Sequence, residues 1–117
     1  MFTSLPGTRV GWHIVGGTSA SSPQLAGLIA LTNQLADDMG KSHHVGYLNP
    51  LLYTLPSSDF NDIIPQTFGP GAVTINSNAL FGSGIAGFPT TTGWDLTTGF
   101  GSPKADSFVH GLASELP

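Results

Sequence analysis

A serine that could act as a nucleophile lies in the segment GGTSASSP at residues 16–23, between a strand-like run and a helix-like run. Amides at a helix N-terminus are unpaired and the helix dipole is positive there, so an oxyanion formed beside the Ser19 hydroxyl would be stabilised. The two glycines also allow a substrate backbone to approach closely. Because the same residue types cap helices, the local pattern alone favours a structural cap over a nucleophile.

A nucleophilic serine needs a base, and none of the four histidines of the chain is well placed to serve Ser19. His13 precedes Ser19 on the incoming strand and cannot easily fold back to its hydroxyl. His43 and His44 follow at the far end of the predicted helix, and His110 is predicted on the surface of the last helix. The single glutamate lies near the end of the chain. If Ser19 is catalytic, its base is therefore expected outside this chain.

The elements that would position Ser19 are a strand before it and a helix after it. A short buried strand is predicted over residues 11–15. The helix is predicted to begin with Ser22 as N-cap and Pro23 at the first helical position. It is predicted to end near Met39, with Gly40 as the C′ residue.

Further along the chain, two more Asn/Ser-Pro pairs predict helix starts. A short helix is predicted over residues 49–55, and a final helix over residues 102–114. Residues 60–64 are predicted to be a strand or extended segment. Residues 65–92 are rich in Gly, Pro, Ser, Thr and Asn and are predicted to be a long surface excursion, with a possible strand at 72–75.

Composition limits the possible partners of the chain. Its 117 residues are enough for one small domain. Only 9% of residues are charged, against about 25% in typical domains, which indicates that much of the surface faces other protein. Arg9, Lys41 and Lys104 are far apart, so no basic patch for nucleic acid is present. No membrane-spanning run and no signal peptide is recognisable, and the absence of cysteine excludes disulfides.

Four segments occur in an order that resembles the sedolisins, the serine-carboxyl peptidases with a subtilisin-like fold. They are GTSASSPQLAG at 17–27, LNPLLY at 48–53, FNDI at 60–63 and GWDLTTGFGSP at 93–103. Subtilisins proper also carry a Gly-Thr-Ser nucleophile, but the three downstream segments favour the sedolisins.

This resemblance implies an α/β chain: the C-terminal portion of a subtilisin-like three-layer fold with a parallel sheet, helices and a calcium-binding loop region. Residues 1–117 would be a single, incomplete catalytic domain. By resemblance Ser19 is the nucleophile, and the family's Glu base, its Asp partner and the oxyanion Asp all lie N-terminal to the nucleophile motif. The eighteen residues before Ser19 contain no Asp or Glu, so the isolated chain is expected to be inactive.

The family chemistry suits acid conditions, because a histidine base is protonated at low pH whereas a carboxylate with a pKa of about 4 still accepts a proton. The resemblance implies a serine-type endopeptidase that cleaves protein or peptide substrates through an acyl-enzyme. It further implies an extracellular location or an acidic compartment for a full-length member.

Two aspartates, Asp62 and Asp95, lie beside glycines or loop residues and are suited to a hard cation. From the residues alone, turn-capping aspartates are the commoner explanation. The resemblance instead implies a Ca²⁺ site made by the Asp62 and Asp95 side chains and the backbone carbonyls of Ile63, Thr91 and Gly93. Thr91 stands where the family usually has glycine, but only its carbonyl is needed.

Three functional classes remain open at this point. The first is a piece of an acid endopeptidase whose partner is the missing N-terminal part of the catalytic domain. The second is a non-catalytic calcium-binding or interaction module derived from the same fold. The third is a degraded gene product without function.

Overall fold

A computed structural model describes residues 2–3, 10–12, 14, 16–70, 73–76, 78 and 86–117. Its helices are α1 (Thr18–Asp38), α2 (Leu48–Leu52) and α3 (Ala105–Glu115), with one 3-10 turn at Ser57–Asp59. Its strands are β1 (Phe2–Thr3), β2 (Gly11–Trp12), β3 (Phe60–Asn61), β4 (Gln66–Phe68), β5 (Val73–Ile75) and β6 (Ser102–Pro103).

The strands form three separate two-stranded antiparallel sheets, β1–β2, β3–β6 and β4–β5. The chain is therefore a mixed helix and strand protein, as the α/β expectation requires. No parallel pair occurs in the described part of the chain. A parallel pair needs a crossover connection, usually a helix, and the strand before α1 pairs with β1 instead of with a strand after α1.

The prediction of a buried strand over residues 11–15 is wrong in both length and burial. The strand covers only Gly11–Trp12, and the Trp12 side chain is 83% exposed. Ile14 is fully exposed, while His13 and Val15 lie outside the described residues. Among the described residues, β2 pairs with β1.

Helix α1 begins five residues earlier than predicted, so Ser22 is not its N-cap. Gly17 occupies that position with φ of 90°, a conformation that suits glycine. Pro23 consequently lies inside the helix, where its missing N–H leaves the Ser19 carbonyl without the usual i+4 donor. The helix starts early because the Gly17 carbonyl accepts the amides of Ala20 and Ser21 and the Ser21 hydroxyl.

The predicted end of α1 is confirmed. Gly40 follows the helix in the left-handed region, with φ of 73°. Its amide donates to the Asp37 carbonyl at 3.0 Å, and the Lys41 amide donates to the Ala36 carbonyl at 2.9 Å. These two bonds are the pair that defines a Schellman motif.

The two later helices also differ from the prediction, α2 mainly at its end and α3 at its start. Helix α2 begins at Leu48 and ends at Leu52, short of the predicted residue 55. Ser102 and Pro103 do not open the last helix, because they form β6 and pair with Asn61 and Phe60. The pairing is extended by the Lys104 amide, which donates to the Asp59 carbonyl at 2.8 Å. Helix α3 therefore begins only at Ala105, whereas the strands predicted within 60–64 and 72–75 are present.

The core lies between α1, α2 and α3. One cluster contains Ala36, Val45, Ala113 and Leu116, and a second contains Leu55, Phe60, Phe108 and Leu112. In the second cluster the rings of Phe60 and Phe100 stack with centroids 5.2 Å apart. None of the described helices is both long enough and apolar enough to cross a membrane.

Candidate active site and calcium loop

The Ser19 side chain is exposed at the second residue of α1. In the next residues the amides of Ala20 and Ser21 donate to the Gly17 carbonyl at 3.0 and 3.2 Å. The amides of Thr18 and Ser19 have no hydrogen-bond partner among the described residues and lie at the positive end of the helix dipole. This end of α1 can therefore stabilise a negative oxygen that forms beside the Ser19 hydroxyl.

An open groove of about 650 Å³ runs along the first turns of α1. Its walls come from α1 and from the segment that leads into α3. The lining residues are Thr18, Ser21, Ser22, Gln24, Leu25, Leu28, Gly101, Ser102 and Pro103. Ser19 itself is not among them, so the groove borders the serine without enclosing it.

None of the described histidine or carboxylate side chains hydrogen-bonds to Ser19. His44 Nε2 lies 2.8 Å from Asp37 Oδ1. Asp37 follows Ser19 by 18 residues on the same helix, and a rise of 1.5 Å per residue separates the two by roughly 27 Å. His44 is therefore held at the opposite end of α1.

Two other histidines, His43 and His110, are also engaged away from the serine. His43 Nδ1 lies 2.7 Å from the Ser42 hydroxyl, and His110 Nδ1 lies 2.9 Å from the Asp106 carbonyl. His13 lies outside the described residues. Across the part of the chain that the structure describes, no carboxylate hydrogen-bonds to the Ser19 hydroxyl.

The structure brings together four of the five residues predicted to bind Ca²⁺, as two contacting pairs. The Gly93 amide donates to Asp62 Oδ2 at 2.7 Å, and the Thr91 amide donates to Asp95 Oδ2 at 3.0 Å. Ile63 follows Asp62 and is partly buried. The loop over 91–95 therefore joins the two aspartates, which are far apart in sequence.

Asp95 is buried, with 5% of its surface exposed. Besides Thr91, its carboxylate accepts the amides of Thr97 and Thr98 at 2.8 and 2.7 Å and the Thr98 hydroxyl at 3.1 Å. The pKa of Asp95 is held below its ordinary value, first of all by the hydrogen bond from the Thr91 amide. Burial of the carboxylate opposes this shift, whereas the hydrogen bonds from Thr98 and Thr97 lower the pKa further. Asp95 thus caps its own turn as an ionised carboxylate.

The oxygen atoms around this loop fit a hard cation in part. Asp62 Oδ1 and the carbonyls of Ile63, Thr91 and Gly93 accept no hydrogen bond from the described residues, so four oxygens are free for coordination. Asp95 fits less well, because its oxygens already accept four donor groups. No group of three or more His, Cys, Asp or Glu side chains suited to a metal occurs in the described ranges. A site here would depend on backbone carbonyls.

Three residues of this region were missed by the sequence analysis. Asn78 Oδ1 accepts the Phe88 amide at 2.8 Å, and the Thr97 hydroxyl donates to the Phe88 carbonyl at 2.8 Å. Thr98 contributes both its amide and its hydroxyl to Asp95. The signal for the threonines was present, because an aspartate followed at +2 and +3 by threonine is typical of a turn in which the carboxylate accepts backbone amides. Nothing in the sequence pointed to Asn78.

Comparison with known proteins gives the class of the chain. No family model matches it. Tripeptidyl-peptidase sed1 of Aspergillus fumigatus is 41% identical over 104 residues, which cover 89% of this chain and 14% of that protein. Kumamolisin of Bacillus sp. is 42% identical over 99 residues, which cover 85% of this chain and 15% of that protein. Tripeptidyl-peptidase 1 of Dictyostelium discoideum is 36% identical over 95 residues, 81% of this chain and 14% of that protein.

The relatives that the chain matches over most of its length are thus peptidases. The chain belongs to the sedolisin family. It spans about one seventh of the length of these relatives.

Proposed function

We propose that this chain is the C-terminal portion of the subtilisin-like catalytic domain of an acid-acting serine-carboxyl endopeptidase, with Ser19 as its nucleophile. The observation that carries the proposal is the position of Ser19. Its side chain is exposed at the N-terminus of α1, next to two amides that have no partner among the described residues, inside a segment that resembles the family's nucleophile motif. A residue that served only as a cap would accept a backbone amide, and the Ser19 hydroxyl makes no such bond in the described part of the chain.

In the proposed reaction the Ser19 Oγ attacks the carbonyl carbon of a peptide bond. The Ser19 proton passes to a glutamate carboxylate that lies outside this chain, and then to the leaving amine. The oxyanion of the tetrahedral intermediate accepts hydrogen bonds at the end of α1. Water then hydrolyses the acyl-enzyme and restores Ser19.

The proposed substrates are proteins or peptides, which the peptidase names of the relatives support. The proposed location is extracellular or within an acidic compartment, because a carboxylate base still accepts a proton at a pH where a histidine is already charged. The chain on its own is expected to be inactive, since no acid or histidine side chain of the described residues reaches Ser19.

We also propose that the 91–95 loop binds one Ca²⁺ through the Asp62 carboxylate and the carbonyls of Ile63, Thr91 and Gly93. Asp95 would join the site by exchanging one of its four donor groups for the ion. The free oxygens around the loop support this proposal. The ion would tie the loop to the segment after β3.

The proposed reaction can be tested in a chimera in which this chain replaces the matching region of kumamolisin. We expect cleavage of an unfolded protein at acidic pH that is abolished by Ser19→Ala. The matched control is Ser22→Ala, which removes a neighbouring exposed hydroxyl of α1 and should retain activity. Activity that survives Ser19→Ala would show that another residue is the nucleophile.

The second candidate function is a non-catalytic calcium-binding or interaction module. It is favoured by the absence of any base beside Ser19 among the described residues. An active chimera would rule against this candidate, whereas a folded chimera that binds Ca²⁺ but cleaves nothing would support it.

A further inference from the structure

A second cavity lies next to the groove that borders Ser19, and we call it the aromatic pocket. Its volume is about 360 Å³, which is within the size range of ligand pockets. The aromatic residues that line it are Tyr53, Phe60, Trp94, Phe100 and Phe108. None of the described residues that line it is charged. The pocket is therefore suited to an apolar group rather than to an ion.

The aromatic pocket has a fixed floor and an open rim. The rings of Phe60 and Phe100 stack on each other, and the Tyr53 ring meets Phe100 edge-to-face with centroids 5.2 Å apart. Phe108 is buried at 1% exposure, whereas Tyr53 and Trp94 are 68% and 50% exposed. A further aromatic ring that enters the pocket can therefore extend this set of stacked and edge-to-face contacts.

Trp94 is held at the rim by hydrogen bonds of the backbone on both sides of it. Before it, the Gly93 amide donates to Asp62 Oδ2 at 2.7 Å. After it, the Asp95 amide donates to the Gly99 carbonyl at 3.1 Å, and the Gly99 amide donates to the Asp95 carbonyl at 2.9 Å. The backbone that carries Trp94 is thus ordered before any ligand arrives, which lowers the entropy cost of binding at this rim.

The aromatic pocket adjoins the groove beside Ser19, because Leu25, Gly101 and Pro103 line both cavities. Leu25 follows Ser19 by six residues in α1, which is about 9 Å along the helix axis. An extended peptide advances by roughly 3.3 Å per residue and covers this distance with two or three residues. A peptide that lies in the groove with its reacting bond at Ser19 therefore brings a nearby side chain to the mouth of the pocket.

We propose that the aromatic pocket binds a large apolar side chain of the peptide substrate, aromatic by preference, two or three residues from the bond that Ser19 attacks. This inference rests on the proposed function and adds the substrate class to it. Tyr53 and Trp94 are then specificity-determining residues, because they form the open rim that the side chain contacts. They take no part in the bond-breaking step, so their loss changes which peptides bind and not how the bond is cleaved.

Binding can be measured on the 117-residue chain itself without any catalysis. Trp12→Phe leaves Trp94 as the single tryptophan, so its fluorescence reports on the rim of the pocket. We expect a saturable blue shift with an end-blocked alanine peptide that carries one phenylalanine, and no shift with the all-alanine peptide. Tyr53→Ala should weaken binding by about tenfold. Phe68→Ala is the matched control, because Phe68 is 56% exposed and lines neither cavity, and it should bind the peptide unchanged.

Substrate preference is measured in the kumamolisin chimera with peptides that carry phenylalanine or alanine at each position up to three residues from the cleaved bond. We expect phenylalanine to raise kcat/KM by about tenfold at one position two or three residues away, mainly through KM. Trp94→Ala should remove this preference and leave kcat/KM for the alanine peptide unchanged. Trp94→Phe should retain most of it, because it keeps an aromatic ring at the rim.

The two experiments separate failure of the pocket from failure of the proposed function. A chimera that cleaves both peptides equally, or whose preference survives Tyr53→Ala and Trp94→Ala, would overturn the proposal and leave Ser19 as the nucleophile. If the chain binds the phenylalanine peptide but an active chimera shows no preference, another part of the catalytic domain fills the pocket, which would also overturn it. A chimera that cleaves nothing contradicts the proposed function, and the Trp94 fluorescence then decides whether the pocket binds an aromatic side chain.

Discussion

The Gly93 amide donates a 2.7 Å hydrogen bond to Asp62 Oδ2, and this bond joins two loops that lie 31 residues apart in sequence. Thr91, two residues earlier, donates its amide to Asp95 at 3.0 Å. Residues 91–93 therefore donate backbone amides to both carboxylates, Asp62 and Asp95. This arrangement makes the segment the meeting point of the loop after β3 and the turn that precedes β6.

The first prediction concerns Ca²⁺. Adding millimolar Ca²⁺ to the metal-free chain should raise its melting temperature, because binding to the folded state alone stabilises that state. Asp62→Asn should abolish the rise, since it removes one charge from the proposed ligands. Differential scanning calorimetry measures both.

The matched control for this prediction is Asp37→Asn, which neutralises an exposed aspartate at the end of α1. That variant should show the same Ca²⁺-dependent rise as the unchanged chain. A rise of equal size in Asp62→Asn would mean that the ion binds elsewhere.

The second prediction concerns acid stability in metal-free buffer. The pKa of Asp95 is lowered in the folded state, first of all by the Thr91 amide. Because the folded-state pKa is depressed, the ionised Asp95 carboxylate stabilises the folded state at pH values above the unfolded pKa of 3.8. This contribution is lost as the pH falls through the lower pKa of the folded state. The unchanged chain should therefore be more stable than Asp95→Asn at neutral pH, and the difference should shrink below pH 3.8.

Urea unfolding at several pH values measures this difference. Asp106→Asn is a suitable control, because the Asp106 side chain is 96% exposed. A stability difference for Asp95→Asn that stays constant from neutral pH down to strongly acidic pH would contradict the role of the ionised carboxylate.

The third prediction concerns Thr90, which is 2% exposed and whose hydroxyl has no partner among the described residues. Burial of a hydroxyl without a hydrogen bond costs about 1–3 kcal/mol. Valine has nearly the same shape as threonine, so Thr90→Val should raise the free energy of unfolding by about 1 kcal/mol. Thr91→Val, at an exposed neighbour, should change it by less than about 0.5 kcal/mol. Destabilisation by Thr90→Val would show that the hydroxyl has a partner in solution.

The fourth prediction concerns Gly101, which precedes β6 with φ of 91°. A Cβ at this position would overlap the backbone carbonyl of Asn61 across the β3–β6 pair. Gly101→Ala should therefore destabilise the chain by about 2 kcal/mol or more, because it combines a backbone clash with a strained conformation. Gly46→Ala, which has open space, is the control and should be close to neutral in the same urea titration.

The local signals in the sequence predicted the end of α1 better than its start. Gly40 marked the end of α1 correctly, because a glycine in the left-handed region lets its own amide and that of the next residue donate to the last helix carbonyls. The predicted start of α1 was wrong because the helix begins after Gly17 instead of at Ser22–Pro23. The Gly17 carbonyl accepts the first amides of the helix. Ser102–Pro103 failed for a different reason, since pairing with β3 is a long-range contact that no local pattern reveals.

The candidate site was predictable to the extent that it is local. The position of Ser19 beside a helix N-terminus follows from neighbouring residues, although the exact first residue did not. The contact between Asp62 and Gly93 could be expected only from the family resemblance, because it joins distant segments. The capping of Asp95 by Thr97 and Thr98 was predictable in principle from their spacing.

The central claim is that Ser19 is the nucleophile, and the most direct measurement is to trap its acyl-enzyme. The kumamolisin chimera would be mixed at acidic pH with a slowly hydrolysed peptide ester, quenched, digested and mapped by mass spectrometry. We expect the mass of the acyl group on Ser19, and its absence in Ser19→Ala. An adduct on Ser21 or Ser22, or turnover without any adduct on Ser19, would contradict the account.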